Sequence, residues 1–456
     1  MDGIASILDT DKLKLQEDIS FIEVEEVLET CKNNKSPGLD GLPYEFFKAV
    51  LPIIGNVFRD ILQCQLDRVK IIHSDTCGAT WLISNVKGTL KVDELRPITL
   101  LNTDYKILSK ILVHRMKFVL PTVIRSGQLC SVGDRNILFG INSIFSTIEY
   151  IKSQKKNACI LSLDFFKAYD RVLVDYVLKV MEKMNFGHKF CSWIEMLHRD
   201  AKTVFILKGL SAAIQVSFSI RQGDPLAMIL YIIFIEPLLL YLEKSLTGIK
   251  FDASSLNNMG INQISESYCD DINIITEDLN DITLVESIVS KFEAMSGAIL
   301  SRNMKCQVMG FGKWKERTNW PLEYVRPVRE LKIFGIIIKE SYRATVKANW
   351  DLRFGKFSSC IRSWSSRVLP SISSRIEVIK VFAFSRIYYL ASILPAPKTT
   401  IKKIESEIGK FIWQGWLFRV SLEEVKNLPG KGGLGLTCVH TMCDSLLLSQ
   451  MLSEES

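Results

Sequence analysis

At 456 residues and 47% hydrophobic content, the chain is long enough for about two to four domains and apolar enough to bury proper cores, which excludes a disordered tail. Its 57 basic and 50 acidic residues leave a formal charge of +7, a surplus that fits ordinary surface charge as well as basic residues gathered along one groove. Eleven cysteines, at 31, 64, 77, 130, 159, 191, 269, 306, 360, 438 and 443, show no Cys-x-x-Cys pairing and follow no secretory signal, so they read as reduced thiols of an intracellular protein.

The N-terminal third alternates basic helices with short loops. From Thr103 to Val119, apolar residues fall at Tyr105, Leu108, Leu112, Met116 and Val119, a helical stripe, while Lys106, Lys110 and Lys117 lie largely off it. That pattern predicts a helix packed on one side and positive on the other. The run ACILSLDF, residues 158–165, predicts a core strand that ends on an aspartate, and a helical pattern at Leu173, Val177, Val180, Met181 and Met184 follows it. A polar loop around Gly223 then opens into the apolar run from Leu226 to Leu242. That run is about the shortest length that crosses a bilayer, but it contains Glu236 and Pro237, so it reads as a buried helix. No membrane segment or repeat remains.

Between Ile264 and Thr276, the runs SESYC and INIIT flank Asp270 and Asp271, as a hairpin with a turn of two acids would. Beyond about residue 340 the character changes to basic helices: Arg362, Arg367, Arg375, Lys380 and Arg386 accompany an apolar stripe at Ile376, Ile379, Ala383, Ile387 and Leu390. The stretch KGGLGL, residues 431–436, is a glycine-rich turn before a last helix, without the surroundings of a phosphate loop.

Three acids carry the chemistry: Asp164 at the end of a buried strand, and Asp270 with Asp271 at a hairpin tip. Carboxylates at the mouth of an apolar strand are costly unless neutralised, and the usual partner for several converging carboxylates is a hard divalent cation, Mg²⁺ first and Mn²⁺ second. An isolated Asp-Asp pair would read as a solvated turn, but this pair does not stand alone.

The surrounding motifs come in a definite order: NKSPGLDG at 34–41, LRPITLLN at 95–102, LSLDFFKAYDRV at 161–172, IRQGDPL at 220–226, YCDD at 268–271, Ser296-Gly297-Ala298 through Lys305, and LKIFGI at 331–336. In this order and context the chain, from about residue 20 to residue 440, resembles the reverse transcriptases of LINE-type, non-LTR retrotransposons. The resemblance implies an α+β fold of the right-hand polymerase kind: an N-terminal extension and fingers at 1–155, an antiparallel-sheet palm at 156–340, and a helical thumb with the C-terminal segment at 341–456. It implies RNA-directed DNA synthesis, with an RNA template, a DNA primer and dNTPs as partners, no membrane, and a ribonucleoprotein of nucleus or cytoplasm.

Residue by residue, the resemblance makes Asp164 and Asp270 the principal metal ligands, with Asp271 beside them and the backbone carbonyl of Phe165 completing an oxygen shell. By the same resemblance Tyr169 would stand under the sugar of the incoming nucleotide, and Gln222 and Gly223 would lie against the nascent base pair. Arg96 and Lys87 would hold the triphosphate, since a phosphate needs cationic donors that fix its orientation. The resemblance also implies Lys305 near the leaving pyrophosphate.

The chain departs from the family in several places. Cys269 replaces the usual alanine and adds an oxidisable group, Phe166 replaces a charged residue, and the stretch ATWLISNVKGTLKV, residues 79–92, lacks the usual Pro-Lys-Lys-like hairpin. The family's endonuclease and cysteine- and histidine-rich tail find no counterpart, which suggests a polymerase-only piece. Cys438, His440 and Cys443 have the wrong spacing for a zinc knuckle, so no zinc is expected. Two other readings stay open: a catalytically inactive remnant that only binds RNA, and an RNA-dependent RNA polymerase, against which Tyr268 and Tyr169 both argue.

Overall fold

The computed structural model describes residues 3–84, 91, 94–207, 209–216, 219–251, 262–303, 305–414 and 420–453. They form two compact units, Met1–Gly140 with Tyr150–Pro327 and Ile141–Glu149 with Val328–Ser456. Helices and sheets mix in both, as the α+β expectation requires.

In the first unit the helices are α1 (Asp9–Leu15), α2 (Phe21–Thr30), α3 (Tyr44–Arg68), α4 (Thr103–Val123), α5 (Ile137–Ser153, shared with the second unit), α6 (Val174–Lys183), α7 (His188–His198), α8 (Ala227–Ser245) and α9 (Leu279–Ser296). Its strands are β1 (Cys77–Ser84), β2 (Leu95–Leu100), β3 (Ala158–Leu163), β4 (Lys202–Phe205), β5 (Ile214–Gln215), β6 (Ile249–Lys250), β7 (Asn262–Gln263), β8 (Ser265–Tyr268), β9 (Asp271–Thr276), β10 (Gln307–Phe311) and β11 (Arg326–Pro327).

The larger sheet runs β11-β10-β3-β9-β8, with β3 in the centre and antiparallel to both neighbours. A central strand is covered on both faces, which is why ACILSL is apolar everywhere but Ser162 rather than alternating. Leu161 sits between Val308 and Ile274 in register. Against this sheet the rings of Tyr176 on α6, Phe234 on α8 and Phe292 on α9 form one cluster, their centroids 5.3–5.8 Å apart. The ring of Phe165 meets Phe292 edge-on at 6.4 Å. The end of β3 is thereby tied into the core.

The apolar run at Leu226–Leu242 is the core helix α8, and no helix among the described residues is long and apolar enough to cross a membrane. Its buried Glu236 accepts a hydrogen bond from the Arg125 backbone N–H at 3.1 Å, and burial raises its carboxyl to about 8. The stripe expected on α4 is buried at all five positions. A second sheet, order β2-β1-β4-β5, pairs β1 antiparallel with β2 and parallel with β4.

In the second unit a hairpin of β12 (Leu331–Ile333) and β13 (Ile336–Ile338) is clasped by Asn349 of α10 (Tyr342–Ser365), whose amide exchanges hydrogen bonds with Ile337 N–H at 2.9 Å and C=O at 2.7 Å. The stripe Ile376, Ile379, Ala383, Ile387 and Leu390 is buried throughout, but on a changing screw. A short α-helix, Ile372–Val378, passes into a π turn at Ile379–Ala383 and a 3₁₀ turn at Phe384–Arg386. Apolar spacing alone does not distinguish these pitches over so few turns.

Candidate active site

Asp164 follows β3 directly, and its backbone is fixed from the far side. Its carbonyl accepts from Ser301 N–H at 2.7 Å, and the Phe166 N–H donates to Ile299 C=O at 2.8 Å, with Phe165 bridged to Leu300 between them. The side chain is therefore delivered beyond the end of the central strand, half-exposed to solvent. Its Oδ2 lies 3.9 Å from Lys305 Nζ, an exposed pair.

The acid hairpin differs from expectation by one residue. Tyr268 pairs with Asp271, so the two-residue turn is Cys269-Asp270, and Asp271 already begins β9. Cys269 takes the left-handed φ of 55° that the first turn position of such hairpins favours. Asp270 thus stands at the tip, while the Asp271 carboxylate accepts a hydrogen bond from Asn273 Nδ2 at 2.9 Å. The protein packed around Asp270 raises its carboxyl above the usual carboxylate range; Asp164 adds to that rise, and Arg96 opposes it. Cys269 is disulfide-bonded to Cys130, with Cα atoms 5.6 Å apart, which corrects the expectation that all eleven cysteines are free thiols. The pairing spans 139 residues and leaves no spacing signature.

The loop Arg221–Asp224 turns its two end residues inward and its two middle residues outward. Arg221 and Asp224 are buried: Asp224 accepts from Tyr105 Oη at 2.5 Å, Ser109 Oγ at 2.6 Å and Leu226 N–H at 3.0 Å, and Arg221 donates to the carbonyls of Thr76 and Leu197 while lying over the Tyr105 ring. Gln222 and Gly223 face outward. The Gln222 carbonyl accepts from Thr99 N–H of β2 at 2.7 Å, and its amide donates to Asp170 at 3.2 Å. Gly223 has φ +121°, and a Cβ there would lie 2.2 Å from the Thr99 carbonyl oxygen. Only glycine lets the loop come this close to the strand.

These elements enclose a cleft of about 670 Å³ whose lining includes Arg96, Asp164, Phe165, Tyr169, Gln222, Gly223, Asp270 and Lys305. Seven motif-derived positions from separate parts of the sequence, and Phe165, therefore meet around one opening. The Tyr169 ring stacks on Tyr231 at 4.6 Å, and burial, then Asp270, pushes its phenol up to about 12. Asp271 is not among the lining residues, and Lys87 lies outside the described residues. Among the described residues no three His, Cys, Asp or Glu side chains are gathered as a metal-binding group. Of the carboxylates that line the cleft, Asp164 and Asp270 have the hard-oxygen chemistry of a divalent-cation site, and the repulsion of Asp164 on Asp270 favours a cation between them.

Sequence reasoning did not single out Asp170, which lines the cleft beside Gln222 and whose carboxyl is raised by burial against the opposing pull of Lys167, Gln222 and Arg96. Nor did it find the Tyr105–Ser109–Asp224 network, although Asp224 falls inside a quoted motif.

Residues 87–338 match the family model described as reverse transcriptase (RNA-dependent DNA polymerase). A curated relative, the "Transposon TX1 uncharacterized 149 kDa protein" of Xenopus laevis, is 28% identical over 464 residues, covering 99% of this chain and 34% of its own length. The chain thus spans about a third of that relative. Among solved structures, the apo telomerase from Candida tropicalis truncated from its C-terminal domain is similar with a TM-score of 0.41 and 11% identity, over 65% of this chain and 66% of that one.

Proposed function

The chain belongs to the reverse transcriptase family, and from that premise we propose that it is the RNA-directed DNA polymerase of a LINE-type retrotransposon, adding dNTPs to a primer 3′-hydroxyl on an RNA template. The observation that carries the reading is the convergence of Asp164, Asp270, Arg96, Tyr169, Gln222 and Gly223 on one open cleft. We assign residues 1–155 to the N-terminal extension and fingers, 156–340 to the palm, and 341–456 to the thumb and C-terminal segment. The working particle is a ribonucleoprotein of nucleus or cytoplasm.

In this reading Asp164 and Asp270, with Asp271 and the Phe165 carbonyl, would hold Mg²⁺, or Mn²⁺ in its place. Bound there, the metal would supply Lewis-acid activation of the primer hydroxyl and neutralisation of charge on the leaving pyrophosphate. The chain's own groups do the rest. Arg96, with Lys87, orients the triphosphate so that the α-phosphate faces the primer oxygen in line. Tyr169, backed by Tyr231, closes the space a ribose 2′-hydroxyl needs. Gln222 and Gly223, fixed to Thr99, form the floor under the nascent base pair. Lys305, beside Asp164, stands where a proton is needed on the departing pyrophosphate.

The test is extension of an oligo-dT primer on poly(rA) by the purified chain with Mg²⁺ or Mn²⁺. Labelled DNA product that disappears in Asp270→Asn supports the assignment. RNA binding without product supports the second reading, an inactive remnant.

A further inference from the structure

The catalytic hairpin is held by a segment that carries no acid. Between α4 and α5, Gly127–Leu129 lies alongside β8 as a one-residue parallel bridge of Gln128 to Ser267. The Ser267 N–H donates to Gly127 C=O at 2.9 Å, and the Leu129 N–H donates to Ser267 C=O at 3.0 Å. A Cβ at Gly127 would lie 2.9 Å from the Ser265 carbonyl oxygen, so the approach is close. The segment itself is stiff: the Arg135 guanidinium donates to the carbonyls of Ile124, Arg125 and Gln128, and the Arg125 N–H is held by Glu236.

From this brace the fully buried Gln128 side chain reaches the turn. Its Oε1 accepts from the Cys269 N–H at 3.0 Å and from the Cys130 N–H at 3.1 Å. Cys269 has the left-handed φ of 55° that aims Asp270, and a left-handed conformation in a residue other than glycine persists only where its surroundings enforce it. Among the described residues, the other end of the amide, Nε2, is buried with no hydrogen-bond partner. An orphaned buried donor is costly, so it is the acceptor oxygen, and not a general polar fit, that gives a glutamine here its use.

We propose that Gln128 is a positioning residue of the polymerase reaction: its carbonyl oxygen, anchored on the 127–130 brace, fixes the Cys269 turn and through it the direction of the Asp270 carboxylate. The inference rests on the polymerase reading of the cleft. It assigns to Gln128 no contact with nucleotide or primer, so substitutions there act on the chemical step and on cation affinity and leave nucleic-acid affinity alone. The Cys130–Cys269 bond is a second tie between the same two segments, and it is reduced in the test so that the amide is read by itself.

The test compares Gln128→Met, which keeps the volume without the acceptor, Gln128→Asn, which withdraws the acceptor by one methylene, and Gln128→Glu, which keeps it, with the parent chain. For Met and Asn we expect kcat for primer extension to fall about 10- to 100-fold, the concentration of Mn²⁺ needed for half-saturation to rise, and template–primer binding to stay at the parent value. Hydrogen exchange in a peptide spanning the hairpin should speed up in both, and Gln128→Glu should restore kcat and protection. A folded Met or Asn variant with the parent kcat overturns the inference. So does an equal loss in all three variants, or failure of both Met and Asn to fold, which would make the amide a structural residue only. A parent chain that extends no primer rejects the polymerase reading instead; the hydrogen-exchange comparison would still report whether the amide holds the turn.

Discussion

Replacing Gly223 with alanine addresses the cleft without touching an ionisable group. At φ +121° an L side chain is strained by about 1–3 kcal/mol, and the new Cβ would meet the Thr99 carbonyl oxygen of β2, 2.2 Å away. That oxygen belongs to strand backbone and cannot swing aside as a flexible side chain would. The loop must move instead, and the Thr99 N–H to Gln222 carbonyl hydrogen bond, 2.7 Å, is lost with it, at about 1 kcal/mol. Together these amount to about 2–4 kcal/mol, which corresponds to a loss of about 30-fold to several hundred-fold in kcat/KM if the displaced loop is the floor under the base pair. Steady-state dTTP incorporation on poly(rA)/oligo(dT) measures it, with RNA affinity recorded alongside. Gly209→Ala is the control, since a Cβ there meets nothing within 4 Å, and it should behave as the parent. A Gly223→Ala chain with the parent kcat/KM would refute the assigned role of the loop.

Other consequences are equally accessible. Tyr105→Phe and Ser109→Ala each remove one hydrogen bond from the buried Asp224 carboxylate, and each should cost about 1–3 kcal/mol in denaturant unfolding; a change below a few tenths would show that the carboxylate finds water instead. Tyr169→Ala should lower the preference for dTTP over UTP by about tenfold or more, measured in single-nucleotide competition, and an unchanged ratio would remove the tyrosine from the sugar site. Affinity for a primed RNA template should drop by roughly 10³-fold between about 50 and 200 mM salt if some six or more phosphates are gripped, and a flat salt profile would contradict phosphate-led binding.

Much of this architecture can be read along the chain because it is local. The largely apolar run of β3 places Asp164, the stripe on α4 survives intact, and Glu236 and Pro237 correctly mark the run at Leu226–Leu242 as a core helix. The hairpin was legible to within a residue; what shifted its turn from Asp270-Asp271 to Cys269-Asp270 is the pairing of Tyr268 with Asp271. What stayed hidden is non-local. The Gln128 to Cys269 contact spans 141 residues and the Tyr105 to Asp224 contact spans 119, and in each the polar group reaches a turn or loop far along the chain that no local pattern points to. The Cys130–Cys269 pair is silent for the same reason. On the helix at 372–391, a changing screw defeats any fixed period even though every predicted apolar position is buried.

The central claim is that Asp164 and Asp270 act together as one cation-binding pair, and a double-mutant comparison of primer extension reads it most directly. Asp164→Asn and Asp270→Asn should each slow single-turnover dNTP addition by on the order of 10³-fold, and the double variant should be no slower than the worse single one, because a site already broken cannot be broken again. Losses that multiply, or a parent-like rate in either single variant, would show that the two carboxylates do not share the work.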